Sequence, residues 1–150
     1  MIGQPDIIVR PFLANDLQFF QLQPDQAKHH PTLSPAEIKA LEDEITFTVL
    51  CDGVICGIFG MVTPWPGRGQ GWAYISNSMP RRAWPDITRR LICSIASLMN
   101  GLGLHRFEIT VAADHQQAIR WADRLGFTQE AKLRKYGPDG SDFFLYVITA

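Results

Sequence analysis

The chain has 150 residues, of which 46% are hydrophobic and 19% are charged, and its formal net charge is −1. A chain of this size and composition can bury one hydrophobic core, so it predicts a single domain over residues 1–150 and excludes intrinsic disorder. Because 14 basic residues are balanced by 15 acidic ones, no overall field favours nucleic acid or an anionic membrane.

The three cysteines, Cys51, Cys56 and Cys93, lack the spacing of a metal cluster, and their odd number argues against a full set of disulfides. We therefore expect three small, buried apolar side chains and no metal site. The first residues do not form the basic and apolar segments of a secretory leader, and the sequence contains no run of 18 apolar residues. These features predict a cytoplasmic protein.

The first part of the chain predicts a strand followed by two helices. Residues 6–11 form a β-branched run that ends at proline, and residues 14–20 have apolar side chains at helical spacing. A serine N-cap, a proline and a glutamate then predict a helix over 34–44. The segment between the helices, 23–33, holds two prolines and a histidine pair and predicts a loop or a broken helix.

The middle of the chain predicts three antiparallel strands. Residues 45–51 and 54–63 are apolar and β-branched, and they flank Asp52 and Gly53, a dipeptide typical of tight hairpins. A segment rich in proline and glycine interrupts the pattern, and a third strand is predicted over 71–77.

The last third predicts alternating helices and strands. A long helix is expected over 85–100, a strand over 105–111, and a second helix that begins at an Asp114 N-cap. Two final strands, 130–136 and 143–148, flank a turn sequence. The order of elements is therefore β-α-α-β-β-β-α-β-α-β-β, which indicates one mixed α/β layer structure.

Several local strings resemble the GNAT superfamily, the N-acetyltransferases that use acetyl-coenzyme A. Residues 102–108 (LGLHRFE) look like the entry to the fifth strand of that family, and residues 118–127 (AIRWADRLGF) look like the following helix, which ends in Leu-Gly-Phe. Residues 132–136, with Tyr146 in the last strand, are similar to the closing hairpin of members that acetylate protein N-termini.

The resemblance implies an α/β (α+β) fold with a mixed, mostly antiparallel sheet of about seven strands flanked by about four helices. The fourth and fifth strands would splay apart, and the acetyl group and pantetheine arm of acetyl-CoA would lie in the gap. Backbone groups of the fourth strand would pair with the pantetheine amides. No metal is implied.

The phosphate-binding loop departs from this resemblance. In the family, backbone N–H groups of a glycine-containing loop bind the pyrophosphate at the start of the long helix. The aligned residues here, 82–87, contain no glycine, and Pro85 has no N–H to donate. The carboxylate of Asp86 would repel a phosphate if it faced the site.

Arginines are clustered around that loop. Guanidinium groups bind phosphate with paired hydrogen bonds, so the cluster offers a side-chain phosphate site in place of a backbone site. The alternative interpretation is a solvated helix face. The cluster consists of Arg81, Arg82, Arg89 and Arg90. The full set of residues that the resemblance assigns to coenzyme binding is Ile75, Ser76, Asn77, Arg81, Arg82, Ala83, Trp84, Asp86, Ile87, His115, Ala118 and Trp121.

The residues expected to perform the chemistry are only partly present. His115 stands where many members have asparagine, and Ala122 stands where many have the tyrosine that protonates the leaving thiolate. Ser76 and Tyr136 remain as candidate thiolate or oxyanion partners. Glu108 is at a position where a structural role outweighs a catalytic one.

Two functions follow from the resemblance. The first is an acetyl-CoA-dependent N-acetyltransferase that transfers the acetyl group directly to an amine. The sequence leaves open whether the acceptor is a peptide or protein N-terminus or a small molecule, and whether the protein forms a homodimer. The second is a catalytically degenerate GNAT-like domain used for binding or assembly, as in GNAT-like proteins of some bacteriophages. The missing glycines and tyrosine favour the second function, while the retained fourth strand, the arginine cluster and the carboxyl-terminal helix favour the first.

Overall fold

The computed structural model of the protein describes residues 3–30 and 32–150. Met1 and Ile2, within the segment inspected for a leader, and Pro31, within the predicted 23–33 loop, lie outside these residues. The seven strands are β1 (Ile7–Pro11), β2 (Ile45–Cys51), β3 (Val54–Trp65), β4 (Arg68–Ile75), β5 (Arg106–Ala112), β6 (Thr128–Leu133) and β7 (Phe143–Thr149). The α-helices are α1 (Pro24–Ala27), α2 (Pro35–Ala40), α3 (Trp84–Gly101) and α4 (Gln116–Arg124). Short 3-10 helices cover Ala14–Phe19, Leu41–Asp43 and Arg81–Ala83.

All seven strands form one sheet in the order β1-β2-β3-β4-β5-β7-β6. Each pair of neighbours is antiparallel except β4 and β5, which are parallel. A parallel pair needs a crossover, and α3 supplies it between these two strands. The predicted fold, a mixed and mostly antiparallel sheet of seven strands with flanking helices, is confirmed.

Both long helices pack on the same face of the sheet. Ile95 and Met99 of α3 and Ala122 of α4 share one buried cluster with Met61 of β3 and Phe107 of β5. Burying side chains of this size stabilises the fold by roughly 1.5–3 kcal/mol each. This packing fixes α3 and α4 against the sheet on the two sides of the β4–β5 junction.

The amino-terminal helices are shorter than predicted. The segment expected as a helix over 14–20 is a 3-10 helix, in which the buried carboxylate of Asp16 accepts hydrogen bonds from Arg10 and Thr48. The helix predicted over 34–44 begins as expected, because Ser34 and Glu37 form a reciprocal capping box. It ends in a 3-10 turn.

Three further predictions of local structure are wrong. Asp114 does not cap α4; His115 is the N-cap residue, and the Asp114 carboxylate contacts His29 instead. Cys93 is exposed, whereas Cys51 and Cys56 are buried as expected. The strand predicted over 130–136 ends at Leu133, so Tyr136 belongs to the turn.

Candidate functional site

The β4 and β5 strands separate after a short parallel contact. They pair only over three residues of each strand, from Arg68 opposite Arg106 to Gln70 opposite Glu108. Gly71 follows at the point of divergence, where an added Cβ would lie 2.7 Å from the Phe107 ring. The splayed arrangement that was predicted is therefore present, with a glycine at its apex.

A cleft of about 950 Å³ opens from this apex and is bordered by both strands, α1, α3 and α4. Helices α3 and α4 meet along one of its walls. The ring centroids of Trp84 and Trp121 are 4.8 Å apart, and Nε1 of Trp121 donates a hydrogen bond of 2.9 Å to Oγ1 of Thr88. Both tryptophans are half-buried. They narrow the cleft between the two helices without filling it.

A charged network lies just below the apex. The buried carboxylate of Glu108 accepts hydrogen bonds from Arg68, Gln70 and Arg106, and Arg106 also pairs with Glu130. Burial alone would raise the pKa of Glu108, but these hydrogen bonds outweigh burial and lower the pKa to about 2. Glu108 is therefore ionised at neutral pH and serves to hold the two strands together.

Three arginines that line the cleft have free guanidinium groups. Arg81 precedes α3, and Arg120 and Arg124 are one turn apart on α4. Within the described part of the chain, none of the three side chains has a hydrogen-bond or ion-pair partner. The lining of the cleft therefore includes three positive charges without an ion-pair partner among the described residues.

The other arginines of the predicted cluster are already paired. Arg82 hydrogen-bonds Asp52 and the carbonyl of Gly3, away from the cleft. Arg89 and Arg90 both bind the Asp86 carboxylate, and the bond from Arg89 is the main reason that the pKa of Asp86 is lowered. Asp86 is thus neutralised by its own helix.

The α1 segment borders the cleft at the carboxyl-terminal end of β4. The carboxamide of Gln26 makes two hydrogen bonds of 2.7 Å to β4, donating to the carbonyl of Ala73 and accepting from the N–H of Ile75. His29 lies with Nδ1 3.0 Å from Asp139 and Nε2 3.0 Å from Asp114. The segment therefore connects β4 with the loops that follow β5 and β6.

Aromatic side chains form the floor of this end. The rings of Trp72 and Tyr74 on β4 are 4.9 Å apart, and the His30 ring lies 4.5 Å from that of Tyr74 in an edge-to-face arrangement. Phe143 of β7 completes the lining. Burial raises the pKa of Tyr74, so its phenol is neutral at neutral pH. The part of the cleft under α1 is therefore lined by aromatic and amide groups.

His115 borders the cleft where β5 leads into α4. Its side chain is largely buried, and Nε2 lies 4.0 Å from Oδ2 of Asp25 on α1. Burial lowers the pKa of His115, and the nearby carboxylates of Asp25 and Asp114 only partly oppose this effect. The imidazole is therefore neutral at neutral pH and can accept a proton.

Comparison with known proteins identifies the fold. A scan against protein-family models and a search of curated proteins both find no match. Among solved structures, the acetyltransferase of the GNAT family from Bacillus anthracis superposes with a TM-score of 0.75 at 13% identity, over 99% of this chain and 97% of that chain. The chain has the GNAT fold.

Two other GNAT-fold neighbours match over nearly their full length. Ard1 from Thermoplasma volcanium has a TM-score of 0.76 at 18% identity, over 96% of this chain and 97% of that chain. The structure of yncA from Salmonella typhimurium, with its cofactor acetyl-CoA, has a TM-score of 0.72 at 12% identity, over 95% of this chain and 93% of that chain.

The GNAT fold brings together some of the predicted coenzyme residues and separates others. Those that line the cleft are Ile75, Arg81, Trp84, His115, Ala118 and Trp121. Ala83 and Ile87 are buried beneath it in the core. The Ser76 hydroxyl hydrogen-bonds to the Ser78 hydroxyl. The backbone N–H of Ser76 pairs with β3 and does not face the gap. Tyr136 is exposed and packs against Phe143 outside the cleft.

The residues present fit the phosphate end of coenzyme A through side chains. Three residues at the start of α3 offer no free backbone donor, since Ala83 and Trp84 donate to Pro80 and Arg81 and Pro85 has no N–H. The free guanidiniums of Arg81, Arg120 and Arg124 can supply the positive charge instead. Sequence reasoning missed Arg120 and Arg124, whose four-residue spacing on the Arg-Trp helix was the available signal.

The described residues reveal no candidate metal site and no helix that is long and apolar enough to cross a membrane.

Proposed function

We propose that the protein is an acetyl-CoA-dependent N-acetyltransferase that transfers the acetyl group directly to an amine. The observation that carries the proposal is the gap between β4 and β5, which opens into a cleft lined by three free guanidiniums. The reported acetyl-CoA complex of yncA, which shares the fold, supports the choice of donor. Acetyl-CoA supplies the acetyl group as a reactive thioester.

Different residues of the cleft bind the donor and the acceptor. Arg81, Arg120 and Arg124 bind the phosphate groups, for which guanidinium is a strong partner. The acceptor amine approaches from the α1 side, where Trp72 and Tyr74 offer aromatic surfaces. A peptide or protein N-terminus remains our preferred acceptor because the closing hairpin resembles that of N-terminal acetyltransferases.

The amine must lose a proton during transfer, and His115 is the side chain best suited to accept it. Glu108 is excluded because its low pKa keeps it a weak base. His115 borders the cleft with a neutral imidazole because its burial lowers the pKa. His29 is engaged on both ring nitrogens by carboxylates, so it is less available.

A binding or assembly module is the second candidate function. The observation that favours it is the hydrogen bonding of Gln26, which fills the edge of β4 that the family resemblance assigns to pantetheine. Ala122, which replaces the usual tyrosine, is buried and has no group that can protonate a thiolate. A module of this kind would retain the GNAT fold without turnover.

Calorimetric titration with acetyl-CoA tests the proposal. We expect Arg81→Ala, Arg120→Ala and Arg124→Ala each to weaken binding by about 1.5 kcal/mol, or roughly tenfold in Kd. Arg82→Ala is the matched control, since Arg82 is adjacent to Arg81 but pairs with Asp52 away from the cleft. No binding at millimolar acetyl-CoA would refute the proposal.

Turnover then separates the enzyme from the module. Release of free coenzyme thiol is followed with an amine panel that includes short peptides and a small polyamine. Thiol release that depends on the amine supports the enzyme. Tight acetyl-CoA binding without release for any amine in the panel supports the binding module.

A further inference from the structure

The free edge of β4 is occupied by a side chain of the same protein. Successive backbone groups of a strand point alternately to its two neighbours, and the N–H of Ser76 pairs with Cys56 of β3. The polar groups of Ala73 and Ile75 therefore point the other way, into the gap toward β5. Both 2.7 Å hydrogen bonds of Gln26 are made to these groups.

The Gln26 carboxamide presents one donor and one acceptor to the same edge, as the N–H and the carbonyl of one residue in a neighbouring strand do. It donates one N–H to the carbonyl of Ala73 and offers one carbonyl oxygen to the N–H of Ile75. A trans secondary amide points its N–H and its carbonyl in opposite directions, so one such amide placed alongside the strand makes only one of these bonds, and two successive amides are needed for both. The pantetheine arm of coenzyme A contains two secondary amides, so the N–H of one and the carbonyl of the other can together replace the donor and the acceptor of the carboxamide.

The backbone of the α1 segment is held independently of this side chain. The N–H of Gln23 donates to the carbonyl of Ile75, and the N–H of Asn77 donates to the carbonyl of Gln21. His29 fixes the other end of the segment to Asp114 and Asp139. The Gln26 side chain can therefore swing out of the gap by rotation about its own bonds while the segment stays in place.

We propose that Gln26 is an autoinhibitory contact, which holds the amide-binding groups of β4 until the pantetheine arm of coenzyme A displaces it. The inference rests on the proposed function, because it needs coenzyme A to enter this gap. When Gln26 leaves without a ligand, the two backbone groups lose their partners, and a buried polar group without a partner is costly. Displacement and coenzyme entry are therefore coupled.

The affinity for coenzyme A tests this contact in the full-length protein. Gln26→Ala removes both hydrogen bonds and the side chain that occupies the gap, so we expect a Kd about tenfold lower than that of the wild type. Gln26→Met removes the hydrogen bonds but keeps the side-chain volume, and it is expected to tighten binding to a lesser degree. Gln21→Ala is the matched control, since its exposed side chain makes no bond to β4.

The outcomes separate the contact from the proposed function. Tighter binding by Gln26→Ala, with Gln21→Ala equal to the wild type, supports the autoinhibitory contact. Equal or weaker binding by both Gln26 variants, while the wild type binds and Arg81→Ala weakens it, overturns the contact and leaves the proposed function intact. If no variant binds coenzyme A at all, both are overturned.

A spectroscopic readout does not depend on affinity. In the free protein, the Gln26 side-chain NH2 should give an NMR signal that exchanges slowly with water, because it is bonded in the gap. On saturation with coenzyme A, we expect this signal to move to the position and exchange rate of a solvated glutamine. An unchanged signal in the saturated protein would show that Gln26 stays in place and would overturn the inference.

Discussion

The indole N–H of Trp121 donates to the hydroxyl of Thr88 at 2.9 Å, and this bond joins α4 to α3 across the wall of the cleft. The two helices lie on opposite sides of β5 in the sequence, so the bond fixes the width of the cleft between them. The Trp84 ring packs at 4.8 Å against the same indole and excludes water from it.

Removing this hydrogen bond is expected to destabilise the fold. Thr88→Val and Trp121→Phe should each lower the free energy of unfolding by about 1 kcal/mol or more. The double variant should cost less than the sum, since both changes remove the same bond. Urea unfolding followed by circular dichroism measures these free energies of unfolding. Thr110→Val, at an exposed residue, is the control. Strictly additive losses would show that the two side chains are not coupled.

A substitution of Gly71, at the apex of the gap, tests how closely β4 and β5 are packed there. Gly71→Ala brings a Cβ within 2.7 Å of the Phe107 ring and 3.2 Å of Ile109, so the two strands must move apart. We expect a loss of about 1–3 kcal/mol, the usual cost of overpacking. In the control, Gly101→Ala at the end of α3, the added Cβ meets no atom within 4 Å. There, stability is expected to stay equal or rise by about 0.5 kcal/mol.

The patterns that were local in sequence predicted the fold well. Asp52 and Gly53 both adopt positive φ, 50° and 81°, as the dipeptide in a tight hairpin requires. The segment expected as a helix over 14–20 instead forms a 3-10 turn, because a buried carboxylate at Asp16 must reach Arg10 and Thr48. That requirement comes from distant residues and leaves no periodic signal.

The site was less predictable because its contacts are long-range. Gln26 lies 49 residues from Ile75 in sequence, and nothing local distinguishes it from Gln23 or Gln21. The arginine cluster was evident in the sequence, but the sequence did not show which arginines face the cleft. Arg82 is paired with Asp52 instead of facing the cleft. Which guanidinium remains free depends on where acidic side chains fall in three dimensions.

Acid unfolding should report on Glu108. Its pKa is about 2 in the folded protein, below the ordinary value of 4.5, so its ionised form stabilises the fold above about pH 4.5. This contribution, up to about 3 kcal/mol, is lost as the pH falls from 4.5 toward 2. Glu108→Gln should therefore be less stable at pH 7 and depend less on pH in the acid range. The exposed Glu44→Gln is the control; an unchanged acid slope in Glu108→Gln would contradict the assignment.

The pH profile of acetyl transfer should report on His115. Burial lowers its pKa below the ordinary 6.5, while Asp25 and Asp114 oppose this effect and His29 and Lys28 reinforce it. Because the neutral imidazole accepts the proton, kcat should rise with pH through an apparent pKa below 6.5 and then level off.

The variant His115→Asn keeps a polar side chain at the start of α4 and removes the titrating group. We expect kcat to fall about 100-fold and the acid limb to disappear, with little change in the Kd of acetyl-CoA. His105→Asn, outside the cleft, should retain the wild-type profile. A wild-type pH profile in His115→Asn would assign the proton transfer to another group.

The free guanidiniums that line the cleft also act before any ligand touches them. The chain as a whole has a net charge of −1, so Arg81, Arg120 and Arg124 form a local positive field on an otherwise balanced surface. Such a field extends about 8 Å at physiological ionic strength and steers anions toward one entrance. The rate at which coenzyme A associates should therefore fall with added salt far more steeply than the rate at which it leaves.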